Sequence, residues 1–306
     1  MIKNYLFIAR IDHWFKNVFM LPGLALAIIF THPDILQAIT HSLIAIFSTC
    51  FIVSANYVIN EWLDAEFDQH HPVKKHRPAV AGNMKAEYVY LEYALFSILG
   101  LGLALQLSSV FLIFSASLLF MGILYNVSPF RTKDRVYLDV LSESFNNPLR
   151  FLLGWTAITS QVFPPSSILL AYWMGGGFLM AVKRYAEYRF INDPKKAGSY
   201  RRSFKVYTEK TLLLSSFFYA ITSCFFLGIF LIKYRIEFLL SFPLFALLFV
   251  WYLGIGMKPL SPTQSPEKFY QEKNFMIYLI FLCLVVSLLF VIDIPFLHKL
   301  VEPLTY

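Results

Sequence analysis

The segment Asn56-Tyr-Val-Ile-Asn60-Glu-Trp-Leu-Asp64-Ala-Glu-Phe-Asp68 repeats an amide or a carboxylate at every fourth residue. Four residues turn a helix by about 400°, so each member lags the last by about 40° and lies about 6 Å further along. Asn60, Asp64 and Asp68 therefore line one helical face, while Leu63 and Phe67 turn elsewhere. Carboxylates near a membrane segment default to a bundle interior or a wet cavity. Oxygen donors on one face, with no basic residue at i+4, suit a hard cation. Mg2+ takes one or two carboxylates and keeps its other positions for water and phosphate. A helix end emerging into solvent also carries carboxylates, but solvation does not explain a four-residue recurrence that begins within an apolar run.

The next residues are Gln69-His70-His71-Pro72-Val-Lys74-Lys75-His76-Arg77-Pro78. Pro72 ends the helix and Pro78 stiffens the loop. Cations directly beyond a carboxylate-held metal make an anion-binding lid, in which the metal grips a diphosphate and Lys74 and Arg77 neutralise what remains. His70, His71 and His76 form no i, i+4 pair on a helix and are not read as metal ligands. A second polar stripe follows at Asp139, Glu143, Asn146 and Arg150, which share a helical face. It is expected to face the first stripe across a cavity, or else Glu143 pairs with Arg150.

These groups are carried by a chain of 306 residues that is 58% hydrophobic and 15% charged. Its 26 Lys and Arg with 19 Asp and Glu are too few to coat a globule of this size in water. A soluble enzyme, a disordered chain and a secreted disulfide scaffold are excluded. Cys50, Cys224 and Cys283 each sit in an apolar run without metal-ligand spacing and read as core residues. About nine runs can cross a bilayer. They are residues 18–30, extended upstream, then 38–60, 87–106, 109–126, 138–160, 168–183, 211–232, 238–254 and 275–292. No cleavable signal peptide is evident. The expected class is an all-α integral membrane protein, a single transmembrane domain over residues 1–306. Of the 26 basic residues, 22 fall at the start and in the loops after the second, fourth, sixth and eighth spans, against 3 on the other side. That asymmetry places the N-terminus in the cytoplasm and Tyr306 outside, in the inner, cytoplasmic membrane. The surplus of positive charge follows from topology and calls for no nucleic acid.

The Asn60/Asp64/Asp68 ladder running into His71-Pro72-x-Lys74-x-x-Arg77-Pro78-x-x-Ala81-Gly82 resembles the UbiA superfamily of intramembrane prenyltransferases, and within it the decaprenyl-phosphate phosphoribosyltransferases. Arg10-x-x-x-Trp14-x-Lys16-Asn17 agrees in order, as do Tyr125, Leu138-Asp139-Val140 and Arg150 to Gly154. So do Lys183-Arg184-Tyr185-Ala186-Glu187, Arg202-Ser203 and Tyr207-Thr208. The resemblance implies nine helices around a central cavity open to the cytoplasm, and dependence on Mg2+. The chain departs from the pattern at Glu61, where the family usually has Asp, and at Lys273, where an Asp would follow Pro266-Glu267. The run from Ser142 to Asn147, with Asn146-Asn147, is more polar than the family leads one to expect.

Family members that move a prenyl group to an aromatic acceptor have a second aspartate-rich motif after the sixth span. Here that place holds Lys183 and Arg184, and nine cations run from Lys183 to Lys210. Cations in place of carboxylates suit two phosphate-bearing substrates. The expected reaction moves 5-phosphoribose from phosphoribosyl diphosphate to a polyprenyl phosphate, a membrane lipid. Mg2+ on Asn60, Asp64, Asp68 and Asp139 would bind the leaving diphosphate, with Asp64, Asp68 and Asp139 as the catalytic set. Lys16, Lys74, Arg77, Lys183 and Arg184 would hold phosphates, and Tyr185 and Tyr207 ribose or phosphate. Asn56, Glu143, Arg150, Glu187 and Arg202 complete the expected substrate contacts. The alternatives are transfer of a prenyl group from its diphosphate to a small acceptor, and non-catalytic transport of polyprenyl lipids.

Overall fold

The computed structural model describes residues 2–82, 84–264 and 266–301, excepting the side chains of residues 2, 3, 266–268, 300 and 301. Tyr306 and the Pro266-Glu267 side chains, singled out from the sequence, lie outside the described residues. Among those described there is no β-strand. Seven stretches of the described residues are long and apolar enough to cross a membrane: Asn4–Thr31, Ile35–Asp68, Ala86–Ala104, Ser109–Asn126, Glu209–Tyr234, Ile236–Gly256 and Lys273–Val291. The other two expected spans take different forms. Residues 138–160 form two helices, Leu138–Ser144 and Asn146–Ile158, rather than one. Pro148 has no N–H for the carbonyl four residues back, and its ring crowds that turn, so the run breaks at Phe145. The sixth expected run is a helix, Ser166–Ile191, whose three successive glycines from Gly175 and charges from Lys183 onward dilute its apolar character.

The chain divides into two compact units, residues 1–164 with 191–211, and residues 165–190 with 212–306. In the first, α1 (Ile2–Ile8) leads through a 3-10 stretch (Ile11–Met20) into α2 (Leu21–Thr31) and α3 (Ile35–Asp68). Then come α4 (Ala86–Ala104), α5 (Ser109–Asn126), α6 (Leu138–Ser144) and α7 (Asn146–Ile158). α3 is the spine: α4, α5 and α7 all pack on it, and α2 packs on α7. Asp34 starts α3 by accepting from the Gln37 N–H at 2.9 Å, and Ser108 starts α5 by accepting from the Phe111 N–H at 3.1 Å, each satisfying an orphan donor of the first turn. Met20, Leu24, Ile52, Phe111, Leu118, Leu149 and Leu153 form the core. A Cβ on Gly154 would overlap the Met20 carbonyl oxygen, so this glycine lets two backbones touch where lipid gives no hydrophobic drive for helices to associate. At 34 residues α3 is about 51 Å long, well beyond the roughly 30 Å hydrocarbon layer, so its polar C-terminal turns reach past one edge of the bilayer.

The second unit holds α8 (Ser166–Ile191), α10 (Glu209–Tyr234), α11 (Phe242–Gly256), α12 (Lys273–Val291) and α13 (Pro295–Val301), while the short α9 (Pro194–Tyr200) belongs to the first. Aromatic contacts join α11 to α12, with Trp251 against Phe275 and Tyr278. Between α10 and α11, Glu237 is buried and accepts from the Ile294 N–H and from His298, both at 3.1 Å. Asp293 lies 3.3 Å from the same imidazole, and Arg235 lies 3.5 Å from Glu237. The His298 contact ties α13 to the segment just before α11.

Candidate active site

The last two turns of α3 deliver the acidic ladder. Asn60 donates to Asp64 at 3.3 Å and also to the Asn126 amide oxygen at the end of α5. The helical face inferred from the four-residue spacing is thus the one turned toward α5. Asn126 is fixed in turn by donating to the Gly122 carbonyl at 2.8 Å.

No basic residue stands at i+4 on α3, but both carboxylates are met by cations from elsewhere in the chain. Lys133 forms an ion pair with Asp64 and also donates to Asn126 at 2.8 Å. Arg131 reaches Asp64 at 3.0 Å, bridges to Asp134 at 3.1 Å and lies over the Phe67 ring. Arg77 binds Asp68 at 2.8 Å and stands 3.9 Å from Glu61. A sequence scan along one helix sees only neighbours on that helix, whereas these partners arrive from the loops after α3 and α5. Burial draws the Lys133 ammonium down to about 8, against the pull of Asp64. Burial acts in the same sense on Arg77, but Asp68 and Glu61 outweigh it and raise its pKa. Asp64, Phe67, Asp68, Arg131, Lys133, Asp134, Tyr200 and Arg201 line a cleft of about 10 Å³, room for roughly one water molecule.

Asp139, the fourth expected metal ligand, has its own set of partners. It is fully buried and accepts from Tyr207 at 2.8 Å and Ser203 at 3.1 Å, with Arg201 at 3.8 Å. Among the described residues, Asp64, Asp68 and Asp139 do not gather within 4.8 Å of one another as Glu237, Asp293 and His298 do. Tyr207, expected to touch substrate, is committed to Asp139 and also accepts from the Tyr137 N–H at 2.7 Å. Glu143 and Arg150 occupy separate hydrogen bonds. Glu143 accepts from Tyr125 at 2.8 Å, and Arg150 donates to Asn17 at 3.2 Å. Tyr125 also accepts from Arg201 at 3.3 Å, which links α6 to the cation rim.

The remaining expected residues are distributed as follows. Lys74 bonds Tyr200 and lies over its ring. Lys16 meets Tyr57 at 3.2 Å and His13 at 3.0 Å. Asn56 turns to α5, donating to the Leu118 carbonyl at 2.9 Å. Arg202 is largely exposed and sits 3.7 Å from Asp134. Lys183, Arg184, Tyr185 and Glu187 belong to the second unit, where Arg184 and Glu187 are buried and pair at 3.4 Å while Tyr185 accepts from Arg189. The residues missed by sequence reasoning are Asn126, Arg131, Lys133, Tyr200 and Arg201. The signal of the first three was an amide at a span end followed within seven residues by two cations, which positive-inside counting absorbed into topology.

Asp64, Asp68 and the Asn60 amide are hard oxygen donors of the kind Mg2+ takes, with room in its shell for phosphate.

Residues 18–280 match the model of the UbiA prenyltransferase family. The chain is 29% identical over 221 residues to a protoheme IX farnesyltransferase of Shouchella clausii, covering 67% of this chain and 68% of that protein. It is 26% identical over 207 residues to a decaprenyl-phosphate phosphoribosyltransferase of Mycolicibacterium smegmatis, covering 66% and 62%. The solved structure of a UbiA homolog from Archaeoglobus fulgidus bound to DMAPP and Mg2+ is similar in fold, with a TM-score of 0.69 at 20% identity over 94% of this chain and all of that one. The chain is a multi-pass membrane protein that belongs to the UbiA prenyltransferase family, a family of transferase enzymes.

Proposed function

We propose that this protein transfers 5-phosphoribose from phosphoribosyl diphosphate to a polyprenyl phosphate, releasing diphosphate, at the cytoplasmic face of the inner membrane with its N-terminus on that side. The observation that carries this is the ring of cations set on the two carboxylates of the ladder. Asp64 and Asp68 are ringed by Arg77, Arg131 and Lys133, with Lys74 and Arg201 on the same rim through Tyr200 and Tyr125. A donor with a diphosphate and a 5′-phosphate, and an acceptor that is itself a phosphate, suit a cleft in which a metal would take the ladder carboxylates and leave these cations for phosphate oxygens.

Asp64 and Asp68, with Asn60, would hold Mg2+, which when bound neutralises charge on the leaving diphosphate. Arg131, Lys133 and Arg201 bind phosphate oxygens, and Arg77 orients Asp68. The bond from ribose C1 to the diphosphate oxygen breaks as an acceptor phosphate oxygen bonds to C1. The acceptor is already ionised at pH 7, so no side chain has to remove a proton. A single displacement inverts the configuration at C1.

A second reading is favoured by the similarity to protoheme IX farnesyltransferase: transfer of a prenyl group from its diphosphate to a small acceptor. Purified protein given Mg2+, labelled phosphoribosyl diphosphate and decaprenyl phosphate is expected to yield a labelled lipid. No labelled lipid there, with turnover of farnesyl diphosphate and protoheme instead, would establish the second reading.

A further inference from the structure

Glu61 follows Asn60 on α3 and therefore does not share the face of the acidic ladder. It is nonetheless almost wholly buried, at 2% exposure. A carboxylate in such a place needs compensating charge, and two arginines from different parts of the chain provide it. Arg10 approaches to 3.5 Å from the turn between α1 and the 3-10 stretch, and Arg77 to 3.9 Å from the loop after α3. Arg77 continues to Asp68 at 2.8 Å. The four residues make a chain of alternating charge, Arg10, Glu61, Arg77, Asp68. Glu61 meets both partners through Oε2 at these longer distances, and its Oε1 has no hydrogen-bond partner among the described residues.

An apolar cluster brings the same three pieces of chain together. Ile8 and Ala9 from the N-terminal segment pack with Val58 of α3 and with Ala79 and Met84 beyond Arg77. Arg10 itself adopts φ 50°, in the left-handed region that a non-glycine residue rarely occupies. Such a conformation persists where its surroundings hold it, and here Arg10 is held beside a buried carboxylate.

We infer that Glu61 is a positioning residue: set between Arg10 and Arg77, it holds Arg77 in place against Asp68 and ties the N-terminal segment to the basic loop after α3. This rests on the reading of Asp68 and Arg77 as part of the donor's diphosphate site. Asp at this position keeps the charge with one methylene less reach, whereas Gln keeps the reach and removes the charge.

The test uses the full-length protein purified in detergent, with inorganic diphosphate and Mg2+ as the probe. Phenylglyoxal labelling of Arg77, read by mass spectrometry, reports its hold directly. Labelling should be severalfold faster in Glu61→Gln than in wild type, with most of the protection restored in Glu61→Asp. Unchanged labelling in Glu61→Gln overturns the inference. Binding of Mg2+-diphosphate should weaken about tenfold in Glu61→Gln, a typical penalty for a misplaced binding group. The same change should add nothing in an Arg77→Gln background, because the two act as one unit. A full further loss in that background would show that Glu61 acts by another route. If wild type binds no diphosphate, the proposed reaction fails, while the labelling still decides whether Glu61 holds Arg77. Should Glu61→Gln not be recovered folded, Arg10→Gln takes its place and is expected to speed the labelling of Arg77; wild-type labelling there counts against the idea.

Discussion

Lys133, in the loop after α5, and Asp64, near the end of α3, form an ion pair at the centre of the candidate site. Lys133 is 3% exposed and Arg131 shares the same carboxylate, so Asp64 holds two cations together. Asp64→Asn should lower transfer by more than about 100-fold, roughly 2.7 kcal/mol in the transition state. It should also lower Tm, because Lys133 would stay buried beside Arg131 without a counter-charge. Turnover and thermal unfolding of the same purified variant check both outcomes. A non-catalytic lipid carrier would keep its transport rate in this variant.

The pH dependence follows from the burial of Lys133, which draws its ammonium from 10.5 to about 8 against the pull of Asp64. The folded protein holds this proton less tightly than the unfolded chain does. Between about 8 and 10.5 the unfolded state binds more protons, so this group makes stability rise with pH over that window. Function should run the other way. In the proposed reaction a charged Lys133 beside Arg131 and Arg201 would bind phosphate, so kcat/KM for the donor should fall as pH rises through about 8. Lys133→Arg keeps the charge and should remove that limb of the profile. An unchanged limb would assign it to another group.

Gly122 on α5 faces the Asn56 amide on α3 so closely that any Cβ would overlap it. The contact sets the distance between the helix that carries Asp64 and the helix that ends in Asn126. Gly122→Ala should destabilise the protein by about 1–3 kcal/mol, the range for overpacking a filled site. Asn56→Ala in the same chain makes room and should restore much of the loss. Unfolding of the single and double variants in detergent measures it. Equal destabilisation with and without Asn56 would mean that the close approach is not what limits α5.

The helical class and the acidic face were legible because both follow from local rules: apolar runs long enough for a bilayer, and a four-residue spacing that stacks side chains on a helix. The break at Phe145 was also written locally, in Pro148 and the polar residues from Ser142 to Asn147 before it, but the stretch as a whole has the length of one span. The partners of the ladder were not legible. Lys133 and Arg77 are separated from their carboxylates by a loop whose path no periodicity describes, and positive-inside charge looks the same whether it faces solvent or a carboxylate. Asp139 shows the converse. Its i, i+4 spacing with Glu143 is a local pattern, yet the groups that meet Asp139, Ser203 and Tyr207, come from more than sixty residues downstream.

Asp139 and Tyr207 allow the two roles open to that carboxylate to be separated. As a metal ligand, Asp139 would set the affinity for Mg2+, and Asp139→Asn would raise the Mg2+ concentration giving half-maximal rate. As the structure has it, Asp139 anchors the segment from Arg201 to Tyr207 onto α6 and keeps Arg201 at the rim. Tyr207→Phe then removes a hydrogen bond to a buried charge, about 1.5–3 kcal/mol, and also the partner of the Tyr137 N–H. Both variants should lower donor kcat/KM and Tm together, and both should leave the Mg2+ requirement where it is in wild type. A shift in Mg2+ dependence confined to Asp139→Asn would return this residue to the metal. Titrating activity against Mg2+ in the two variants decides it, because a tyrosine hydroxyl lost from the anchor cannot reproduce the loss of a metal ligand.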